Sequence, residues 1–164
     1  KSGCGRGYSA WWWFCSRFSY QSLDNIAPQG ADLVLDPGEV IVLPAWTDLD
    51  NSSADLAIYT NNPAAADGRP DFGSPEHMVD YVQWGSSEAI GRASVAASKG
   101  IWPETSPGVY DFVPTAASGE SMSLTDLSNS SNARGFVNGA PSQGSSNVPT
   151  GADASILFLP VIIE

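Results

Sequence analysis

The feature of this sequence that most constrains its fold is an alternating stretch at residues 79–85, which reads Val-Asp-Tyr-Val-Gln-Trp-Gly. Val79, Tyr81 and Gln83 fall on one face of an extended chain, and the intervening residues fall on the other face. A Gly-Ser-Pro turn precedes the stretch and Gly-Ser-Ser follows it. The pattern predicts a β-strand. Because large side chains occur on both faces, we expect this strand in the middle of a sheet, covered on both sides.

Other short segments have the same character. Strands are predicted at residues 10–20, 40–43, 56–59 and 120–124, with polar or Gly/Pro-rich turns between them. Residues 89–99 are the only helical candidate, and Gly100 is a plausible C-terminal stop. Many short strands separated by turns predict an all-β fold, an antiparallel β-sandwich with one short helix and long loops.

Composition narrows the class of protein. A chain of 164 residues with 42% hydrophobic residues and six Trp is long enough to bury a core as one domain. Eighteen acidic residues against seven basic ones give a net charge of −11, which argues against nucleic acid as a partner. No apolar stretch is long enough to span a membrane. The Lys-poor, Asp- and Ser-rich composition suggests an extracellular or cell-surface location.

The end of the sequence differs from the rest. Residues 1–147 are interpreted as the β-sandwich domain, residues 148–155 as a Pro/Gly/Ala-rich linker, and residues 156–164 as a separate apolar strand. This last stretch, here called the donor segment, contains Pro160, which a strand tolerates only at a sheet edge or a bulge. An apolar strand attached by a linker to an apparently finished domain requires a partner surface.

Several motifs together resemble the lamin tail domain, an immunoglobulin-like β-sandwich that bacteria also use as an extracellular module. The resemblance covers roughly residues 10–147. It rests on Trp13-Phe14, on Leu-Asp-Pro-Gly-Glu-Val-Ile-Val-Leu at 35–43, on Asp-Tyr-Val-Gln-Trp-Gly at 80–85, on Glu-Ser-Met-Ser-Leu at 120–124, and on the closing segment 136–147. The resemblance implies an immunoglobulin-like sandwich.

The sequence departs from the family at its start, and this departure suggests a function. The family opens with an apolar strand carrying a Glu, whereas residues 1–9 are polar here and an apolar strand ending in Glu164 stands at the other end. The donor segment could fold back into its own domain, or it could insert into a neighbouring subunit. The second arrangement is a head-to-tail contact that generates a filament.

The leading hypothesis is therefore a structural subunit of an extracellular filament or surface appendage, a homopolymer of this chain without enzymatic activity. The alternative is a monomeric cell-surface adhesion or glycan- or protein-binding module that uses the Trp11-Trp12-Trp13 cluster. The predicted subunit interface consists of apolar residues from the donor segment and from that cluster: Ile156, Leu157, Phe158, Leu159, Val161, Ile162, Ile163, Trp11 and Trp12.

Three kinds of minor site are also candidates. Asp48, Asp50 and Asp55 place carboxylates in one loop, a weak candidate for a structural Ca²⁺ site; no other cofactor is indicated, and the EF-hand pattern fails there. Cys4 and Cys15 could form a disulfide in an oxidising compartment or remain separate thiols. Two N-glycosylation sequons begin at Asn51 and Asn129.

The only histidine, His77, argues against common catalytic sites. No Gly-x-Ser-x-Gly motif or nucleophilic Cys motif accompanies it, and one His with two Cys cannot complete a zinc site unless carboxylates take part. A surface position in the loop before residues 79–85 is the expected role of His77.

Overall fold

The computed structural model describes residues 12–15, 20–22, 50, 52–66, 68–142 and 161–162. Within these ranges the chain consists mostly of short strands, with one α-helix and two 3-10 turns. In chain order the elements are β1 (Trp12–Cys15), β2 (Tyr20–Ser22), β3 (Ala54–Thr60), β4 (Met78–Trp84), α1 (Ala93–Lys99), β5 (Glu104–Ser106), β6 (Val109–Tyr110), β7 (Ser121–Leu124), the 3-10 turns Leu127–Asn129 and Ala133–Gly135, β8 (Phe136–Gly139) and β9 (Val161–Ile162).

The described strands form three small antiparallel sheets. One has four strands in the order β2-β1-β3-β4, one is the hairpin β5-β6, and one has three strands in the order β8-β7-β9. Most sheet contacts therefore join strands that are close in sequence, apart from the β1–β3 and β7–β9 pairings. The all-β prediction with a single short helix is consistent with this part of the chain.

The strand predicted at residues 79–85 is confirmed as β4, whereas its predicted place in the middle of a sheet is not seen among the described strands. Among the described strands β4 stands last in its sheet, with β3 on one side and only a parallel bridge from Trp84 to Val113 on the other. Tyr81 and Trp84 are nonetheless buried, although they point to opposite faces. Large side chains on both faces indicate two-sided burial, and a helix or a loop can provide that cover as well as a further strand.

Helix α1 is shorter than the sequence predicts, because it begins at Ala93 rather than near residue 89. Residues 86–90 are held in an irregular loop by hydrogen bonds to the side chain of Gln83. The predicted end is confirmed. Gly100 adopts φ 78°, the left-handed conformation that only glycine takes without strain, and its N–H donates to the carbonyl of Ala97 at 2.9 Å.

Trp102 lies between two of the sheets. Its ring makes an edge contact with Tyr81 of β4, with ring centroids 5.6 Å apart, and another with Phe136 of β8 at 6.3 Å. The indole Nε1 donates to the carbonyl of Asp111 at 2.7 Å, so this buried side chain leaves no donor unpaired. The core of the described region therefore runs continuously from β4 to β8.

Two features of the second half were not predicted. Residues 128–147 suggest a loop because they are rich in Ser, Asn and Gly, yet they contain β8. No strand is predicted at residues 104–110, which form the hairpin β5-β6. The sequence of β8, Phe-Val-Asn-Gly, does not alternate, and β5 and β6 are too short to show a period, so pairing with a neighbouring strand is what makes them strands.

A candidate strand-exchange site

Strand β7 is the middle strand of the three-stranded sheet. All four of its residues are buried, including Ser121 and Ser123. On one edge β8 pairs with β7 along its full length, from Ser121 opposite Gly139 to Leu124 opposite Phe136. The alternation that predicts a strand at residues 120–124 is thus confirmed for β7. What the sequence does not indicate is that both faces of so polar a strand are covered.

The other edge of β7 receives part of the donor segment. Val161 pairs with Met122 and Ile162 pairs with Ser121, in an antiparallel ladder between β9 and β7 of the same chain. In the single chain this is the fold-back arrangement, one of the two that the sequence leaves open. Insertion into a neighbouring subunit remains a prediction, and β7 is the strand at which it can be tested.

Backbone groups carry the recognition at this edge. In a β-ladder the main-chain N–H and C=O groups bond across the strands, so a strand of the right length and apolar character can be accepted with little dependence on individual side chains. The Oγ atom of Ser121 has no hydrogen-bond partner within the described residues.

The sheet that holds this edge is anchored to the rest of the core. Phe136, opposite Leu124, contacts Trp102. At the end of β7 the N–H of Thr125 donates to the carbonyl of Gly135 at 2.8 Å. The side-chain Nδ2 of Asn138 donates to the carbonyl of Pro114 at 2.9 Å, which ties β8 to the segment after Val113. The β7 edge is consequently presented by a supported strand pair.

A buried polar network fixes the chain on the other side of Trp102. The side-chain Nε2 of Gln83 donates to the carbonyls of Ser86 (2.6 Å) and Glu88 (3.0 Å), and its Oε1 accepts from the Tyr81 hydroxyl (3.0 Å) and the Ile90 N–H (3.3 Å). Burial raises the pKa of Tyr81 well above its ordinary value, and the nearby Asp55 raises it further. Tyr81 therefore stays protonated and keeps donating, which is a structural role.

The other predicted interface residues are only partly placed. Trp12 lies in β1 opposite Thr60 of β3, so its backbone belongs to the interior of the four-stranded sheet. Trp11 falls outside the described residues, and so do five donor-segment residues: Ile156, Leu157, Phe158, Leu159 and Ile163. Their roles at an interface remain predictions.

Of the three calcium candidates, Asp50 and Asp55 are described, and their carboxylates have different hydrogen-bond partners. Asp55 is fully buried in β3, and its Oδ2 accepts from the Arg92 N–H at 2.8 Å. Asp50 accepts from the N–H and the hydroxyl of Ser52. Asp48 lies outside the described residues, within which no group of three or more His, Cys, Asp or Glu side chains could hold a metal ion. A Ca²⁺ site in this loop has no further support.

The candidate disulfide and glycosylation sites are only partly described. Cys4 and Asn51 lie outside the described residues, and Cys15 is described only as the last residue of β1, so the disulfide remains a prediction. Asn129 ends a 3-10 turn, and its Nδ2, the atom that would carry a glycan, donates to Asp126 Oδ2 at 2.7 Å. A glycan at Asn129 would take one of the two Nδ2 hydrogens and leave the other to donate.

His77 is half-buried, immediately before β4. Its carbonyl accepts from the N–H of Thr60 at 2.7 Å, and its backbone thus helps to close the β3–β4 pair.

Comparison of the chain with protein-family models, with curated proteins and with solved structures finds no match. Among the described helical residues, none forms a helix long and apolar enough to cross a membrane. The β7 edge and the segment that occupies it are the features of the described residues that bear on function.

Proposed function

We propose that this chain is a structural subunit of an extracellular filament or surface appendage, assembled when the donor segment of one copy pairs with β7 of the next. The observation that carries the proposal is the pairing of Val161 and Ile162 with Met122 and Ser121. It identifies a strand edge of this chain that accepts the donor segment. A second copy offers the same edge, so the same ladder can form between chains.

The connection between the two strands is long enough for exchange. Residues 140–160 join β8 to β9, and about twenty residues in extended form reach on the order of 60 Å. That reach exceeds the diameter of a small domain. A donor segment released from its own β7 can therefore arrive at the β7 of an adjoining subunit.

Burial of the apolar donor segment supplies the free energy that would hold two subunits together. Seven of its nine residues are Ile, Leu, Phe or Val. Burying about six such side chains, at roughly 1.5–3 kcal/mol each, contributes on the order of ten kcal/mol before entropic costs. A joint of this size is stable relative to a released, solvent-exposed donor segment. Because donor and acceptor are different surfaces, the contact is heterologous and extends into a filament unless it closes into a ring.

The same proposal includes the fold class. We infer that residues 1–147 form a lamin-tail-like, immunoglobulin-like β-sandwich in which the four-stranded and three-stranded sheets face one another. The position of Trp102, in contact with Tyr81 of one sheet and Phe136 of the other, supports this arrangement. The donor segment would then extend the sheet that contains β7.

The test uses the full chain. Purified protein is examined by light scattering over a range of concentrations and by negative-stain electron microscopy, beside Ile162→Asp and Val137→Asp. Val137 is an exposed β8 residue at 49% exposure and serves as the matched control. Filaments are expected from the natural chain and from Val137→Asp. They should be lost in Ile162→Asp, because a charge in the paired strand is costly to bury. A natural chain that stays monomeric at every concentration contradicts the proposal.

A second candidate function is a monomeric cell-surface adhesion or binding module, and the fold-back pairing of β9 favours it. In this arrangement the β7 edge is satisfied within one chain, and function passes to Trp11, Trp12 and Trp13. A glycan array and a pull-down with extracellular proteins test it. Binding by a monomeric chain that is lost on Trp12→Ala would support the module in place of the filament.

A further inference from the structure

We infer that the pairing of β9 with β7 of its own chain is a self-capped state of the subunit, which must open before a second copy can dock. This inference rests on the proposed function, because it concerns the regulation of the same edge. On this inference the fold-back contact precedes assembly and is not an alternative to it.

Pairing of β7 with its own β9 and docking of a second copy exclude one another. Strand β7 has two edges, and β8 occupies one of them along all four residues. β9 occupies the other edge at Ser121 and Met122. A strand has no third hydrogen-bonding edge, so an incoming donor segment must displace the resident β9. Capping and docking therefore compete for the same backbone groups of Ser121 and Met122.

The cap is limited at one end by a proline. Two residue pairs join β9 to β7 within the described residues. The residue before Val161 is Pro160, which has no N–H to donate and so cannot extend the ladder in the ordinary way. No residue of β8 is Pro, and β8 pairs with β7 at all four of its residues. The cap therefore opens more readily than the β7–β8 pair.

A docking neighbour competes with a strand that is tethered to the same chain. When exchange replaces the pairs of the cap by the same pairs between chains, assembly is favoured only above the effective concentration of the tethered strand, about millimolar for short linkers. The donor segment of a second copy carries the same Pro160 and would pair in the same register. Assembly is therefore expected to rise with subunit concentration and to require opening of the cap.

The test is a cysteine pair in the full chain, Met122→Cys with Val161→Cys, at positions directly opposite in the β7–β9 register. Facing residues of antiparallel strands bring their Cβ atoms within reach of a disulfide. The protein is oxidised while dilute, the cross-linked monomer is isolated, and peptide mapping distinguishes the designed bond from any that involves Cys4 or Cys15. Assembly is then followed by light scattering, before and after reduction.

The expected result is that the cross-linked monomer does not assemble and that reduction restores assembly to the rate of the natural chain. Assembly of the cross-linked monomer at the reduced rate would overturn the self-capped state while leaving the filament intact. Failure of the reduced protein and of the natural chain to assemble would overturn the proposed function itself. The two failures are therefore distinguishable.

Two further double-cysteine variants test whether the result depends on a folding defect of the first pair or on proximity without the β7–β9 register. Ser121→Cys with Ile162→Cys is a second in-register pair, used if the first does not fold by circular dichroism. Met122→Cys with Ile162→Cys is out of register by one residue, so its side chains point to opposite faces. It should give little monomeric cross-link. Equal cross-linking of the in-register and out-of-register pairs would also overturn the inferred cap.

Discussion

Gln83 of β4 lies directly opposite Asp55 of β3, and both side chains are completely buried. Each one binds backbone of the segment that leads into α1: Gln83 holds residues 86–90, and Asp55 accepts from the Arg92 N–H. The pair thus fixes the irregular chain between β4 and the helix. This segment covers the face of β4 on which Tyr81 and Gln83 lie.

The first prediction concerns Gln83→Leu. The substitution preserves approximate size but leaves the carbonyls of Ser86 and Glu88 and the N–H of Ile90 without that partner. A buried polar group left unpaired costs about 1–3 kcal/mol, and the carbonyls of half-buried Ser86 and exposed Glu88 cost less because water reaches these residues, so we expect a loss of about 2–4 kcal/mol in unfolding free energy. Chemical denaturation measures it. Glu76→Ala, at an exposed position, is the control and should stay within about 0.5 kcal/mol.

The second prediction compares two Gly→Ala substitutions, one with a steric clash and one without, to separate the steric from the conformational cost to stability. Gly85 has φ 77°, and a Cβ there would collide with the carbonyl of Ser52, whereas Gly108 has φ 75° with open space around it. Both Ala variants therefore carry the left-handed strain, about 1–2 kcal/mol, but only Gly85→Ala adds the clash. The thermal midpoint should fall further for Gly85→Ala than for Gly108→Ala. Equal shifts would contradict the close approach of residue 85 to Ser52.

The third prediction follows from Asp80 in β4. Burial raises the pKa of its carboxyl to about 6, although a hydrogen bond from the Tyr81 N–H opposes the shift. The folded state therefore binds more protons than the unfolded state between about pH 4 and 6, and stability falls as pH rises through that window. We expect Asp80→Asn to be more stable than the natural chain above pH 6, by about 1–2 kcal/mol. Equal stability of the two at pH 8 would contradict the burial of this carboxylate.

Sequence patterns were sufficient where apolar and polar residues alternate or a stop signal is present. Alternation located β4 and β7, and Gly100 marked the end of α1, because these signals depend on local backbone geometry. The position of β4 within its sheet could not be predicted, because strand order depends on contacts between distant segments. Strand β8 escaped detection because Phe-Val-Asn-Gly does not alternate, and β5 and β6 escaped it because elements of three and two residues show no period.

The donor half of the candidate site could be predicted from the sequence, and the acceptor half could not. The apolar donor segment is evident from the sequence, since residues 156–163 stand out against a Ser- and Asp-rich chain. Its acceptor is not, because β7 reads Ser-Met-Ser-Leu and gives no sign that both of its edges are paired. All four residues of β7 are buried, and β8, whose Phe136 contacts Trp102, occupies its other edge, so the acceptor is a product of tertiary structure.

The central claim is that the donor segment of one subunit pairs with β7 of the next. It is tested most directly by oxidising Met122→Cys/Val161→Cys after assembly at high concentration and resolving the product on a denaturing, non-reducing gel. The account predicts a ladder of covalent oligomers that collapses to monomer on reduction. Cross-linked monomer alone, from a sample that contains filaments, would contradict it, because the filaments would then be held together by some other contact.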